Sequence, residues 1–223
     1  MPNLPALPRG CPLSLTLIVI NIGLYLAQMS TGNLITNSGL LYGPAVQGGQ
    51  WWRLFSSGFL HGSLLHVGFN MYLLFMLGPH LERAYGSLRF ALMYAGSLVG
   101  GALGVMAFAW DQPTLGASGA VLGLAGAMGI ALHERGIGLR QSPVFGLVVL
   151  NLALPLLVPG ISFSGHFGGV LAGILLGYLL VWLPARSHGA STGNTLSIGA
   201  AAVALLIALT VMAATLGGVV SLG

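Results

Sequence analysis

Only 4% of this 223-residue chain is charged, lysine is absent, and there is a single cysteine, Cys11. The charge deficit excludes a soluble domain, in which roughly a quarter of the residues are ionised. One cysteine excludes an internal disulfide and leaves the redox compartment open. Acids are also scarce: Glu82, Asp111 and Glu134 stand against seven arginines, for a formal net charge of +4. A basic excess can serve nucleic-acid binding. Here the arginines are scattered between apolar segments, which suits membrane orientation instead. No residue charged at neutral pH falls between Gln141 and Ala185, or between Ser187 and Gly223. Each stretch exceeds the roughly 20 apolar residues that cross a bilayer. The chain leaves no room for a separate soluble domain beside its spans. It has neither a solenoid-type repeat nor low complexity beyond a Gly/Ala/Leu bias. One membrane domain is expected.

Turn residues and charges divide the chain into seven apolar segments, about 12–29, 62–78, 88–110, 118–133, 143–158, 165–183 and 195–219. In lipid each must be helical, because no water is present to satisfy open backbone groups. Residues 1–30 combine a basic start at Arg9 with a long apolar run, but no A-x-A pattern follows Ala27. An uncleaved first span is therefore expected. The connection from Thr31 to His61 is rich in Gly, Asn and Gln and too polar for another span. Its Trp51, Trp52 and Phe55 suit the membrane interface. Arg9, Arg83, Arg89, Arg135, Arg140 and Arg186 flank alternate connections on one side, and only Arg53 falls on the other. By the positive-inside rule the N-terminus is cytoplasmic and the C-terminus outside.

That alternation sets the depth of the polar residues within the spans. Ser118 opens the fourth segment in G-A-S-G, and His166 opens the sixth in S-G-H-F-G-G. Both segments run from outside to inside, so parity puts the serine and the imidazole at one level. His66 and Asn70, in L-H-V-G-F-N, lie near the outer end of the second segment, which also runs inward. The fourth segment is about 16 residues long, roughly 24 Å at 1.5 Å per residue, against a hydrocarbon core of about 30 Å. Ser118 is thus expected below the outer surface, in a hydrated cavity.

Glycine supplies the means of approach. Gly165, Gly169, Gly173 and Gly177 form one ridge of the sixth segment, and Gly119, Gly123 and Ala127 one ridge of the fourth. Small-residue ridges let two backbones come close in lipid. A serine beside a histidine base is the minimum for nucleophilic catalysis. No acid completes a triad, since Glu82 and Glu134 fall on the cytoplasmic side and Asp111 in an exposed loop, so the expected unit is a Ser118–His166 dyad. The oxyanion of an acyl-transfer intermediate needs donors. The amide of Ser118 at a helix N-terminus, the i/i+4 pair His66 and Asn70, and the adjoining turn of Gly116 and Ala117 are the candidates.

These segments resemble the rhomboid family of intramembrane proteases. The resemblance runs through W-W-R-L-F at Trp51–Phe55, F-L-H-G-S-L-L-H-V-G-F-N at Phe59–Asn70, G-P-H-L-E-R-A-Y-G-S-L-R-F at Gly78–Phe90, G-A-S-G at Gly116–Gly119 and G-H-F-G-G at Gly165–Gly169. It implies an all-α polytopic membrane protein with a short cytoplasmic N-terminus (1–11), a six-helix rhomboid-like catalytic core (12–183), and a linker with a seventh, C-terminal transmembrane helix (184–223). It also implies a serine-type endopeptidase acting on transmembrane protein substrates within the lipid bilayer. Ser118 is then the nucleophile and His166 its partner; His66 and Asn70 hold the oxyanion, and Trp52-Arg53 belongs to the loop after the first helix. The expected location is a prokaryotic inner membrane. No cofactor, metal or nucleic acid is called for.

One departure concerns the position four residues after the serine. Family members often carry an aromatic there, stacked on the catalytic imidazole, and this chain has Leu122. Phe167, Tyr94 and Trp110 are candidates to compensate. His61 is read as a packed or rim residue, and Arg53 as an anchor of its loop. Glu82-Arg83 is expected to tie the loop after the second helix to neighbouring backbone. His80, His133 and His188 are assigned no role. Two other classes are considered. An inactive rhomboid-like binding protein would lack the serine or the histidine, and both are present. A metal site or transporter built on His61, His66 and His166 lacks H-E-x-x-H and a nearby carboxylate.

Overall fold

A computed structural model describes residues 10–187 and 191–220, so Arg9 and His188 lie outside the described residues. In chain order, α1 (Pro12–Ser30) is followed by three short helices, α2 (Leu34–Gly39), α3 (Gly43–Gln47) and α4 (Arg53–Ser56), and by a 3-10 turn at Ser57–Phe59. Two long helices, α5 (Leu64–Tyr85) and α6 (Ser87–Phe108), lead to α7 (Ser118–Glu134). Then comes α8 (Pro143–Ala153), ending in a 3-10 turn at Leu154–Leu156. The next helix, α9 (Phe163–Gly177), continues through a π-helical turn at Tyr178–Trp182 into α10 (Leu183–Arg186), and α11 (Thr192–Val220) follows. Among the described residues the only strand-like pairing is an isolated bridge between Leu41 and Thr114.

Five helical stretches are long and apolar enough to cross a membrane: Pro12–Ser30, Leu64–Tyr85, Ser87–Phe108, Phe163–Arg186 and Thr192–Gly217. The chain is a multi-pass integral membrane protein. The fourth and fifth of the seven apolar segments form shorter helices. At 17 residues α7 is short because protein, not lipid, surrounds it. It packs against α5, α6, α8 and α9, and every residue from Ala120 to Ala127 is buried.

The second segment ends later than its hydropathy indicates. The sequence places its end near residue 78, whereas α5 runs through Pro79 to Tyr85. Glu82 and Arg83 therefore sit in the last turns of the helix rather than in a connecting loop. The Glu82 carboxylate accepts from the amides of Leu13 (3.0 Å) and Ser14 (2.8 Å) and from Ser87 Oγ (2.6 Å). A buried carboxylate thus caps the start of α1, where the helix dipole favours negative charge, and ties α1, α5 and α6 together.

At the other end of the bundle the connection from α1 to α5 folds onto Arg53. Its guanidinium donates to Leu40 O (2.7 Å), Asn37 O (2.8 Å) and Gln50 Oε1 (2.7 Å). Trp52 Nε1 adds a bond to Ser38 O at 3.0 Å. Arg53 is an anchor of this connection: three bonds satisfy a buried cation that would otherwise be costly.

Helix directions follow from where the glycines meet. A Cβ on Gly119 would touch Gly165 O, one on Gly123 would strike Gly169 O, and one on Gly177 would meet Ala127 Cα. Numbers rise together, so α7 and α9 run parallel with backbones in contact. Against α6 the order reverses: Gly104 meets Ser164 O, Gly100 meets Gly168 O, and Gly96 meets Leu176. The parallel pair with an antiparallel α6 between its ridges forms the centre of the molecule. Around it, α11 lies along α6, and Trp110 Nε1 donates to Ala214 O at 3.0 Å.

Candidate active site

Ser118 is the first residue of α7 and His166 lies in the first turn of α9. Because the two helices are parallel and in glycine contact, their first turns fall side by side. His166 Nε2 lies 2.9 Å from Ser118 Oγ. The start of α9 is set by Ser162, whose Oγ accepts from the Gly165 amide at 3.1 Å, an N-cap that fixes the helix origin one turn before the imidazole.

The other ring nitrogen, His166 Nδ1, lies 3.0 Å from the backbone oxygen of Asn151 at the end of α8. A carbonyl can only accept, so Nδ1 carries the proton. Nε2 is then unprotonated and accepts from the Ser118 hydroxyl. That tautomer is the one a general base requires. Asn151 was not singled out by its sequence, and the group that acts is its carbonyl, which every residue type possesses. The available signal was Pro155, four residues on.

Among the described residues no aromatic ring contacts the His166 imidazole. Leu122 is buried and lines the same cavity. Of the three aromatics that could have compensated, Phe167 stacks on Phe163, Tyr94 packs on Phe90, and Trp110 is turned toward α11. The imidazole is held by the Asn151 carbonyl instead.

Gly116 precedes the serine by two residues with φ of 127°, a conformation L side chains rarely adopt. Its amide donates to Ser57 O at 2.9 Å, while Thr114 and Leu41 exchange both bridge bonds at 2.8 Å. These bonds tie the turn to the 3-10 turn at Ser57 and to the link between α2 and α3. A Cβ at Gly116 would lie 2.7 Å from both Cε1 and Nε2 of His66. The missing side chain is what lets the His66 ring reach the turn.

His66 Nδ1 accepts from the Gly62 amide at 3.4 Å, which leaves Nε2 as its N–H donor, facing Gly116. Asn70 is buried and also lines the cavity, but one amide hydrogen goes to His66 O at 2.9 Å within its own helix, leaving the other for the site. Ala117 is wholly buried in the core and does not line the cavity that Gly116 and Ser118, on either side of it, face. Ser118, His166, His66, Asn70 and Gly116 all line one cavity of about 570 Å³, whose remaining walls are mostly apolar.

His61 is a packed residue, 2% exposed, with its ring edge-on to His66 at 5.0 Å between centroids. Burial, and secondarily the neighbouring His66 ring, pushes its pKa down to about 4, so it is neutral at neutral pH. Gln28 of α1 holds its backbone, accepting from His61 N at 3.0 Å and donating to His61 O at 3.3 Å. Gln28 was missed in the sequence because a single polar residue in a first span carries no pattern. Asp111 is exposed, and its carboxylate accepts from Gln112 Nε2 at 3.5 Å rather than from an imidazole. No group of three metal-ligating side chains occurs among the described residues.

Fold and site together describe a multi-pass membrane protein in which a buried histidine meets a half-buried serine. Residues 48–183 match the Rhomboid domain, and the chain belongs to the rhomboid family. Over 149 residues it is 32% identical to Rhomboid protease GluP of Bacillus subtilis (strain 168), a match covering 64% of this chain and 29% of that protein. It is 36% identical over 145 residues to RHOMBOID-like protein 4 of Arabidopsis thaliana, covering 61% and 36% of the two chains. With Rhomboid protease AarA of Providencia stuartii it shares 33% identity over 143 residues, covering 54% and 50%. The chain spans well under two thirds of the length of each of these relatives.

Proposed function

We propose that this protein is an intramembrane serine endopeptidase in which Ser118 is the nucleophile and His166 the general base. The observation that carries the reading is the 2.9 Å contact between His166 Nε2 and Ser118 Oγ, inside a cavity at the meeting of two parallel helices. In this mechanism Nε2 takes the hydroxyl proton as Oγ bonds to the substrate carbonyl carbon. The amide C–N bond then breaks, and His166 delivers that proton to the leaving nitrogen. Water attacks the acyl-enzyme, giving its proton to Nε2, which returns it to Ser118 Oγ as the acid leaves. The oxyanion is stabilised by the Ser118 amide, the Nε2–H of His66 and the second amide hydrogen of Asn70, and the turn of Gly116 and Ala117 leads the chain into that Ser118 amide.

The substrates are membrane-anchored proteins cut in or near a transmembrane segment. A helical carbonyl is already engaged by the amide four residues on, so segments with small or helix-breaking residues are favoured. Entry is lateral, past the end of α8 and the connection to α9, which Pro155, Pro159 and Gly160 weaken. The architecture we assign is a six-helix catalytic core over residues 12–183 and a seventh helix within 184–223. The N-terminus is cytoplasmic and the C-terminus outside, in a prokaryotic inner membrane. The arginine distribution supports this orientation.

The test is reconstitution of the protein in liposomes with a model membrane-anchored substrate and a fluorophosphonate probe. Cleavage by wild type, labelling at Ser118 and insensitivity to chelators are expected. Equal cleavage by wild type and Ser118→Ala would overturn the reading, and absence of both cleavage and labelling would mark an inactive family member. A second variant examines the oxyanion side. Gly116→Ala places a methyl against the His66 ring in a strained backbone conformation. We expect kcat to fall roughly 100-fold through misplacement of that donor, with labelling of Ser118 retained. Cleavage within threefold of wild type would show that His66 does not act from this position.

A further inference from the structure

The imidazole of the dyad has no acid behind it, and what stands there instead is a carbonyl released by a proline. Along α8 the backbone ladder is intact to its end, where the Leu154 amide donates to Leu150 O. The next bond would run from residue 155 to Asn151 O, but residue 155 is proline and has no amide hydrogen. Beyond it, Leu157 and Val158 both donate to Leu154 O, so the ladder resumes without using Asn151 O. A proline ring also crowds the carbonyl four residues before it and pushes it outward from the helix. The oxygen so released is the one 3.0 Å from His166 Nδ1. Asn151 itself is 4% exposed, with its side-chain amide bound back to Leu147 O at 2.9 Å, which holds the end of the helix in place.

We infer that Pro155 is a positioning residue: by leaving the Asn151 carbonyl unpaired, it makes that oxygen the acceptor that orients His166 and keeps its proton on Nδ1. The inference rests on the protease reading for its kinetic consequence, but not for its structural one. In a carboxylate-backed triad, the acid fixes the tautomer and ring orientation of the base. Here a neutral dipole does so within an apolar bundle, where a buried carboxylate would carry a desolvation cost. It also accounts for how the ring is held with Leu122 in place of an aromatic.

Pro155→Ala tests this directly, because alanine supplies an amide that competes for Asn151 O and removes the ring that pushes it outward. Pro143→Ala, at the exposed first turn of the same helix, is the control for general disturbance of α8. Two quantities are read: nitrogen-15 signals of His166 in histidine-labelled protein, and kcat and KM for a model substrate. Expected for Pro155→Ala is loss of the single Nδ1–H tautomer to a mixture, with kcat lower by roughly fivefold to tenfold and KM within threefold. Pro143→Ala should leave both unchanged. An unchanged tautomer in Pro155→Ala overturns the inference whatever happens to kcat, and a changed tautomer with unchanged kcat removes its kinetic half. The nitrogen signals are read in the resting protein. A tautomer shift in a chain that cleaves nothing would therefore keep the positioning role and remove the protease reading alone.

Discussion

Ser118→Ala and His166→Ala are each expected to lower turnover of a membrane-anchored substrate by roughly ten-thousand-fold or more, and the double variant no further than either single one. The reasoning is that hydroxyl and imidazole act as one unit. Without the imidazole 2.9 Å away, the hydroxyl proton has no acceptor, and without the hydroxyl the base has nothing to activate. Ser118 opens a helix at the cavity wall, and the glycine contacts of α7 and α9, which begin at Gly119 and Gly165, are left intact by both changes. The thermal midpoint of Ser118→Ala should therefore stay close to that of wild type while activity is lost, and that of His166→Ala, which empties a buried position, should fall only modestly. The measurement is turnover in liposomes for the three variants. Additive losses would show that the two residues act independently, and the dyad would have to be abandoned.

The second large effect concerns packing. Gly173→Ala adds one methyl group that would land on the backbone of Gly123, meeting its carbonyl oxygen, carbonyl carbon and Cα together. Backbone cannot rotate aside as a side chain can, so α7 and α9 must separate. Overpacking of this kind costs about 3 kcal/mol, at the upper end of the usual range. The separation acts on the site as well, because the same contact line ends at Ser118 and His166. We expect a large fall in thermal midpoint and loss of cleavage together. Gly23→Ala in α1, where nothing lies within 4 Å of the added methyl, gives the contrast. There the exchange should be neutral or stabilising by up to about 1 kcal/mol. If Gly173→Ala and Gly23→Ala unfold at the same temperature in detergent, the close approach of α7 and α9 is not what holds the bundle.

Much of this architecture was readable before any coordinate. The starts of α6, α7 and α8 fall within a residue of the apolar segments that announced them, because burial in lipid imposes a composition no soluble chain shares. The pairing of Ser118 with His166 was readable for a related reason: span parity assigns direction, and glycine at every fourth position marks which faces touch. The end of α5 was less accessible, since hydropathy falls at Pro79 and Glu82 while the helix continues. Glu82 is buried there, for its carboxylate is satisfied by the amides that begin α1, a partner some seventy residues away in sequence.

What the sequence determined by itself is therefore whatever depends on composition and period: a polytopic helical membrane protein, its segments, and a serine and a histidine at one depth. Tertiary structure alone decided how the histidine is held. That bond is made to a backbone carbonyl, which carries no side-chain signature, and the carbonyl is available only because α8 ends beside α9 with a proline at the right turn. The same holds for the His66 ring resting on Gly116 and for Gln28 gripping the backbone of His61. Each is a contact between segments far apart in the chain, and its geometry exists only once the helices have packed.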